Sequence, residues 1–85
     1  MANYSVDVRK SAVKEIGELP KRECIAVVGK IQALSDDPRP HGAEKLSGDD
    51  KYRIRHGDYR VVYEIDDAKK KVTIVRVAHR REVYR

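Results

Sequence analysis

Apolar and polar residues alternate on both sides of Gly57-Asp58, from Tyr52 to Tyr63. Two alternating runs around a Gly-Asp pair predict a β-hairpin with a tight two-residue turn. This turn pairs residue 55 with 60, 54 with 61, 53 with 62 and 52 with 63. One face then carries apolar side chains suited to a core, and the other carries three arginines. The apolar set is Tyr52, Ile54, Tyr59, Val61 and Tyr63, and the polar face holds Arg53, Arg55 and Arg60 beside Val62 and Glu64.

Two like charges face each other in this hairpin. Arg55 and Arg60 are predicted to lie directly opposite, an arrangement that by itself destabilises a sheet. A fold that keeps both arginines there is expected to bind an anion between them. The hairpin therefore gives the first indication of function.

The remaining pattern predicts one strand before the hairpin, two helices and one strand after it. Residues 4–8 alternate like a half-buried strand, and the period becomes helical from Lys10 to Leu19, with Ser11 as the expected cap. Pro20 begins a second amphipathic helix that extends to about Ser35. The segment 36–50 is expected to be a long loop, and Val72 to Ala78 a central strand.

These elements predict an α+β fold. An N-terminal strand and a helical hairpin precede a three-stranded antiparallel meander, and the strands form one sheet packed on the two helices. Eighty-five residues suffice for one modest core, so we expect a single domain over residues 1–85.

The positive charge of the chain is concentrated in its C-terminal part. Residues 1–50 hold 8 basic and 9 acidic side chains, whereas residues 51–85 hold 11 and 5, and the formal net charge is +5. A basic surface on one sheet indicates a polyanionic partner, most often nucleic acid, although a solvated basic face kept for solubility gives the same charge.

Several classes of chemistry lack support in the sequence. The histidines have no metal-ligand spacing, no phosphate-binding glycine loop is present, and the paired aspartates occupy turn positions. We therefore expect no metal and no cofactor. The single cysteine fits a reducing compartment and no apolar run is long enough to span a membrane, so we expect a cytoplasmic protein with no membrane partner.

Clustered arginines suit RNA cleavage, because RNA supplies its own nucleophile in the 2′-hydroxyl. Such an enzyme needs phosphate clamps, a proton acceptor and a group that protonates the leaving oxygen. Arginine clamps phosphate well but accepts protons poorly. The candidates for proton transfer are Tyr84, His79, His56, Glu64 and Glu82.

Three segments together resemble the RelE branch of the RelE/ParE toxin superfamily. They are Leu46-Ser-Gly48 before Tyr52-Arg-Ile-Arg55, then Gly57-Asp-Tyr-Arg-Val-Val-Tyr63, then Val77-Ala-His-Arg-Arg-Glu-Val-Tyr84. The resemblance implies a curved antiparallel sheet on two helices and a toxin that cleaves mRNA in the ribosomal A site, leaving a 2′,3′-cyclic phosphate. It also implies a cognate antitoxin that binds the toxin in a hetero-oligomer, with the ribosome and mRNA as the other partners.

The resemblance also assigns roles by position. Arg53 and Arg55 match a basic pair that is lysine in the best-known members. Arg60 matches the phosphate-stabilising arginine, Arg80 a second catalytic arginine, and Tyr84 a tyrosine that stacks on or orients the base. We therefore predict a catalytic set and a set of RNA contacts. The former is Arg55, Arg60, Arg80 and Tyr84, and the latter is Arg53, Arg76, His79 and Arg81.

Two questions remain open at this point. Arginine cannot lose a proton as a lysine with a lowered pKa can, so His79 or Tyr84 becomes the alternative proton acceptor. The main alternative function is that of ParE-like relatives, which share the scaffold and inhibit DNA gyrase without cutting RNA.

Overall fold

The computed structural model describes residues 3–46 and 50–82, which form two helices and one five-stranded sheet. The sheet order is β1-β5-β4-β3-β2; β1 runs parallel to β5, and the other neighbouring strands are antiparallel. The predicted strand, helix pair and antiparallel meander are confirmed. The elements are β1 (Ser5–Val8), α1 (Lys10–Gly17), α2 (Lys21–Ala33), β2 (Glu44–Lys45), β3 (Lys51–His56), β4 (Tyr59–Asp66) and β5 (Lys71–His79).

The register of the β3–β4 hairpin is the predicted one. Arg55 pairs with Arg60, and the pairs toward Tyr63 follow in the expected order. Gly57 takes a φ of 57°, a left-handed conformation that glycine adopts without a steric penalty. The turn chemistry and the alternation of side chains therefore specify the same pairing.

The predicted helix boundaries needed one correction. α1 begins at Lys10, with Arg9 in the N-cap position and no capping side chain, so the expected role of Ser11 is wrong. The helix starts at Lys10, where the helical period begins, and the Arg9 N–H before it donates to the carbonyl oxygen of Ile74 at 3.0 Å, which fixes the chain at the end of β1. Pro20 precedes α2 as predicted, and its carbonyl accepts from the Cys24 N–H at 2.8 Å.

The core lies between the two helices and one face of the sheet. The helices contribute small and branched side chains, and the sheet contributes the predicted face of the hairpin together with β5. The buried set is Ala12, Val27, Ile31, Leu34, Ile54, Val61, Tyr63, Ile65, Val72, Ile74 and Val77. In the middle of this core, the buried Tyr63 hydroxyl donates to the carbonyl oxygen of Pro38 at 2.8 Å, which ties the 36–43 segment to the sheet.

Both edge strands are shorter than the strands beside them, and helix side chains bond the backbone that they leave uncovered. β1 reaches only Ile74 of β5, and beyond it the Val77 N–H donates to Glu15 Oε1 of α1 at 2.8 Å. β2 reaches only to Arg53 of β3, and beyond it Lys30 Nζ of α2 donates to the Arg55 carbonyl at 3.2 Å. Exposed strand edges are sites of unwanted pairing, so these two bonds help to close the sheet.

Within residues 3–46 and 50–82, neither helix combines the length and the apolar character needed to cross a membrane.

The buried phenol of Tyr63 makes stability sensitive to alkaline pH. Burial raises its pKa to about 12, whereas an unfolded tyrosine titrates near ~10. The free energy of unfolding should therefore fall as pH rises from about 10 toward about 12, because the unfolded chain loses this proton first. Tyr63→Phe should cost about 1 kcal/mol at neutral pH and flatten this alkaline decline. Urea unfolding across pH measures both effects. Tyr52→Phe is the control, since the Tyr52 hydroxyl bonds an exposed arginine; equal losses in the two variants would contradict the prediction.

Candidate nucleic-acid interface

Three arginines of the hairpin share the sheet face opposite the helices. Ile54 and Val61 point into the core, so the alternating neighbours Arg53, Arg55 and Arg60 project from the other side. We call this surface, together with Arg80, the arginine face.

Arg80 reaches the arginine face because β5 ends beside the hairpin turn. Its backbone N–H donates to the Asp58 carbonyl at 2.7 Å, and its Nε lies 3.8 Å from Asp58 Oδ1. β5 runs antiparallel to β4 and pairs Ala78 with Arg60, so the residues that follow return to the turn. The residue after β5 and the hairpin therefore bring their cationic side chains together on the arginine face.

The pKa of Arg60 is lowered by its surroundings on the arginine face. Desolvation lowers its pKa, and the charges of Arg55, Arg53 and Arg80 lower it further, while Asp58 acts in the opposite direction. Its Nη1 donates to the carbonyl oxygen of Gly57 at 3.1 Å and to that of Tyr59 at 3.2 Å, which holds the guanidinium over the turn. A phosphate bound here would relieve the repulsion and supply the missing counter-charge.

An acidic residue that the sequence pattern did not indicate also lies on this face. Glu44 pairs with Arg53 across β2 and β3, and its Oε2 lies 3.1 Å from Arg53 Nη2 while its Oε1 lies 3.9 Å from Arg55 Nε. The 36–50 segment was expected to be a loop, and the two-residue strand β2 within it brings Glu44 to the arginines. A carboxylate therefore already occupies part of the space where an anion was predicted.

A small apolar cluster lies among the arginines. Val62 and Ala78 are buried on this side of the sheet, and Leu46 and Val75 pack against them. A bulge between β4 and β5 gives Val62 the partner Arg76 and gives Tyr63 the partner Ile74, which leaves Val75 as the extra residue. Because these apolar side chains exclude water, they strengthen the electrostatic interactions of the neighbouring arginines.

The tautomer of His79 follows from its contacts. Its ring packs edge-on against Tyr59 at 5.8 Å, and its Nδ1 accepts from the Arg81 N–H at 3.2 Å. In the neutral imidazole the proton is therefore on Nε2, which makes His79 a donor toward a ligand rather than an acceptor.

The other predicted residues have different surroundings. Arg76 Nε lies 3.6 Å from Glu15 Oε2, so α1 holds this side chain. Arg81 is exposed in the turn after β5. Tyr84 lies outside the described residues, so its predicted role stays a prediction. Among residues 3–46 and 50–82, no group of three or more His, Cys, Asp or Glu could hold a metal ion.

Comparison with known proteins identifies the class. Residues 6–84 match the family described as the ParE toxin of the type II toxin–antitoxin system. The chain therefore belongs to this family of the RelE/ParE superfamily. It is similar to toxin RelG of Mycobacterium tuberculosis, with 36% identity over 86 residues that cover 96% of this chain and 97% of that protein. It also resembles toxin RelE of the same organism, at 34% identity over 96% of this chain and 87% of that one.

The solved structures agree with this assignment. The archaeal RelE–RelB complex from Pyrococcus horikoshii contains a chain with a TM-score of 0.80 and 30% identity, covering 98% of this chain and 100% of that one. The isolated E. coli RelE toxin gives a TM-score of 0.79 and 28% identity, over 95% of this chain and 90% of that one. The protein is thus a RelE-like toxin of a type II toxin–antitoxin system.

Crowding on the arginine face predicts a stability gain from removing one charge. Arg60→Gln should raise the urea midpoint at low ionic strength, because Arg60 is desolvated beside three other arginines. Added salt should shrink the gain, since it screens the same repulsion in the wild type. Arg9→Gln is the matched control, because Arg9 pairs with Glu64 at 3.6 Å instead of facing like charges. Equal shifts in both variants at low salt would be inconsistent with this explanation.

Proposed function

We propose that this RelE-like toxin is a ribosome-dependent endoribonuclease that cleaves mRNA in the A site. The observation that carries the proposal is the gathering of Arg53, Arg55, Arg60 and Arg80 around one place on the sheet, with a carboxylate in contact with two of them. The similarity to RelE and RelG toxins supports the same activity. The reaction is attack of the 2′-oxygen on the adjacent phosphorus, and it requires no metal and no cofactor.

The arginine face acts as the phosphate clamp in this reaction. Guanidinium groups donate paired hydrogen bonds to phosphate oxygens and remain protonated at neutral pH. Arg60 is central, because it is the arginine whose pKa the other three lower. Charge that develops on the phosphate in the transition state would meet this preorganised positive potential.

We assign the proton acceptor to Glu44. Its carboxylate contacts the clamp arginines, whereas Glu64 pairs with Arg9 and the Nδ1 of His79 is already engaged. Glu44 takes the proton of the 2′-hydroxyl as the bond from the 2′-oxygen to phosphorus forms. The bond from phosphorus to the 5′-oxygen then breaks, and this oxygen takes a proton from water, while the Nε2–H of His79 is suited to donate a hydrogen bond to a phosphate oxygen. The products are a 2′,3′-cyclic phosphate and a free 5′-hydroxyl.

The family supports a proposal about the partners of this toxin and the place where it acts. Solved relatives include toxin–antitoxin complexes, such as RelE–RelB of Pyrococcus horikoshii. We propose that this toxin also forms a hetero-oligomer with a cognate antitoxin, acts in the cytoplasm on ribosomes and mRNA, and functions as a single domain over residues 1–85.

Loss of the central arginine tests the activity. Arg60→Ala should reduce A-site cleavage by about 100-fold to 1,000-fold and abolish growth inhibition, while a cooperative urea transition shows that the fold persists. Primer extension on transcripts from programmed ribosomes measures the cleavage. Arg9→Ala, which removes an arginine paired with Glu64, is the control. Equal cleavage by wild type and Arg60→Ala would refute the proposal.

The alternative function predicts a different outcome in the same cells. The matching family is described as the ParE toxin, and ParE-like relatives inhibit gyrase. Toxicity with gyrase-trapped DNA breaks and intact transcripts would therefore favour gyrase inhibition over RNA cleavage.

Glu44 can be tested separately from the clamp. Glu44→Gln should lower the cleavage rate at saturating ribosomes by about 100-fold or more, and the variant should bind RNA at least as tightly because a competing carboxylate charge is lost. Glu64→Gln is the comparison, since Glu64 is bonded to Arg9. A wild-type rate for Glu44→Gln, or the larger loss for Glu64→Gln, would move the acceptor role away from Glu44.

A further inference from the structure

A cavity lies next to the arginine face, at the edge of β3 that β2 leaves uncovered. Its volume is about 250 Å³, near the lower end of the ~300–1,000 Å³ typical of small-molecule sites. It opens between the C-terminal half of α2 and the 40–42 segment. The lining residues are Lys30, Ala33, Pro40, His41, Gly42, Ile54 and Arg55.

The lining combines an apolar surface with positive charge. Ala33, Pro40 and Ile54 supply apolar surface, Lys30 supplies a cation, and the backbone of Arg55 forms part of the wall through its carbonyl bond to Lys30 Nζ. The described lining residues include no carboxylate, although acidic residues are frequent elsewhere in the chain. A ligand that matches this chemistry has an apolar ring and an attached anion, which is the composition of a nucleotide.

The walls of the cavity are held in place without a ligand. On one side, Lys30 Nζ is fixed by its bond to the Arg55 carbonyl, and two of its three protons remain available for an anion. On the other side, Ala43 N–H donates to the Pro40 carbonyl at 3.0 Å, and Tyr63 anchors Pro38 from within the core. A preformed site binds without the cost of ordering its loops.

Arg55 connects this cavity to the arginine face. Its backbone borders the cavity and bonds Lys30, whereas its side chain belongs to the arginine face, opposite Arg60 and near Glu44. An RNA strand whose scissile phosphate is held by the arginine face therefore has a neighbouring nucleotide within reach of the cavity.

We propose that this cavity is a subsite for a nucleotide adjoining the scissile phosphate. The apolar surface receives the base, and Lys30 binds a flanking phosphate. The inference rests on the proposed endoribonuclease function and extends it, because an occupied subsite adds affinity and base discrimination that the phosphate clamp alone cannot provide.

Filling the cavity tests the proposal. Ala33 is exposed on α2, so Ala33→Leu adds volume to the cavity and preserves helix propensity. Binding of 2′-O-methyl oligonucleotides, which cannot be cleaved, is measured by fluorescence anisotropy with the full chain. Ala33→Leu should weaken binding of a tetranucleotide about tenfold and leave binding of a dinucleotide unchanged. The matched control is Gln32→Leu, an equally exposed position on the same helix that does not line the cavity.

A second variant keeps the test independent of helix packing. His41 is exposed in the loop, so His41→Glu places a carboxylate at the cavity with little effect on the fold and should also weaken the tetranucleotide selectively. Unchanged tetranucleotide binding in both variants would overturn the subsite. So would a loss of binding to an acidic antitoxin peptide without any loss for RNA. Failure of the underlying function looks different: wild type and Arg60→Ala would then cleave mRNA equally on programmed ribosomes, whatever the oligonucleotide binding of the cavity variants.

Discussion

The pairing register of β3 and β4 is the constraint on which the rest of the structure depends. Side chains alternate across a sheet, so the register that buries Ile54, Val61 and Tyr63 also fixes Arg55 opposite Arg60 on the other face. Burying one large apolar side chain is worth about 1.5–3 kcal/mol. An exposed like-charge pair costs at most about 1 kcal/mol. The core therefore determines the register, and the arginine face is held together against its own repulsion.

The helices complete the sheet in a way that also positions the charged residues. Glu15 and Lys30 bond the strand backbone beyond the points where the short edge strands stop, one near the end of β5 and the other at Arg55. The bond to Val77 fixes the part of β5 that leads to Arg80. The bond to Arg55 fixes the edge of the hairpin that carries the arginine face. Side chains from the core-packing helices thus reach around both edges and restrict the backbone that carries the arginines.

Local patterns in the sequence predicted the hairpin, its two faces and the order of the elements, because these depend on neighbouring residues. The Gly57-Asp58 turn and the alternation of apolar residues were sufficient to place Arg53, Arg55 and Arg60 on one face. Contacts between distant residues could not be predicted in this way. Glu15 meets Val77 across 62 positions of the chain, and the β4–β5 bulge depends on how two strands fit together. The contact of Glu44 with the arginines was not predicted, because a two-residue strand has too short a pattern to be recognised.

Glu44 explains how the protein can keep a cluster of cations without a bound ligand. Arg53 is largely buried, with 19% of its side chain exposed, whereas Glu44 is about half exposed at 47%. An ion pair that is partly open to water is weak, since solvent competes for both partners. A phosphate can therefore replace the carboxylate at the arginines at small cost. In the proposed reaction, this displacement releases Glu44 from the clamp while β2 keeps it beside the site, where an acceptor for the 2′-hydroxyl proton is required.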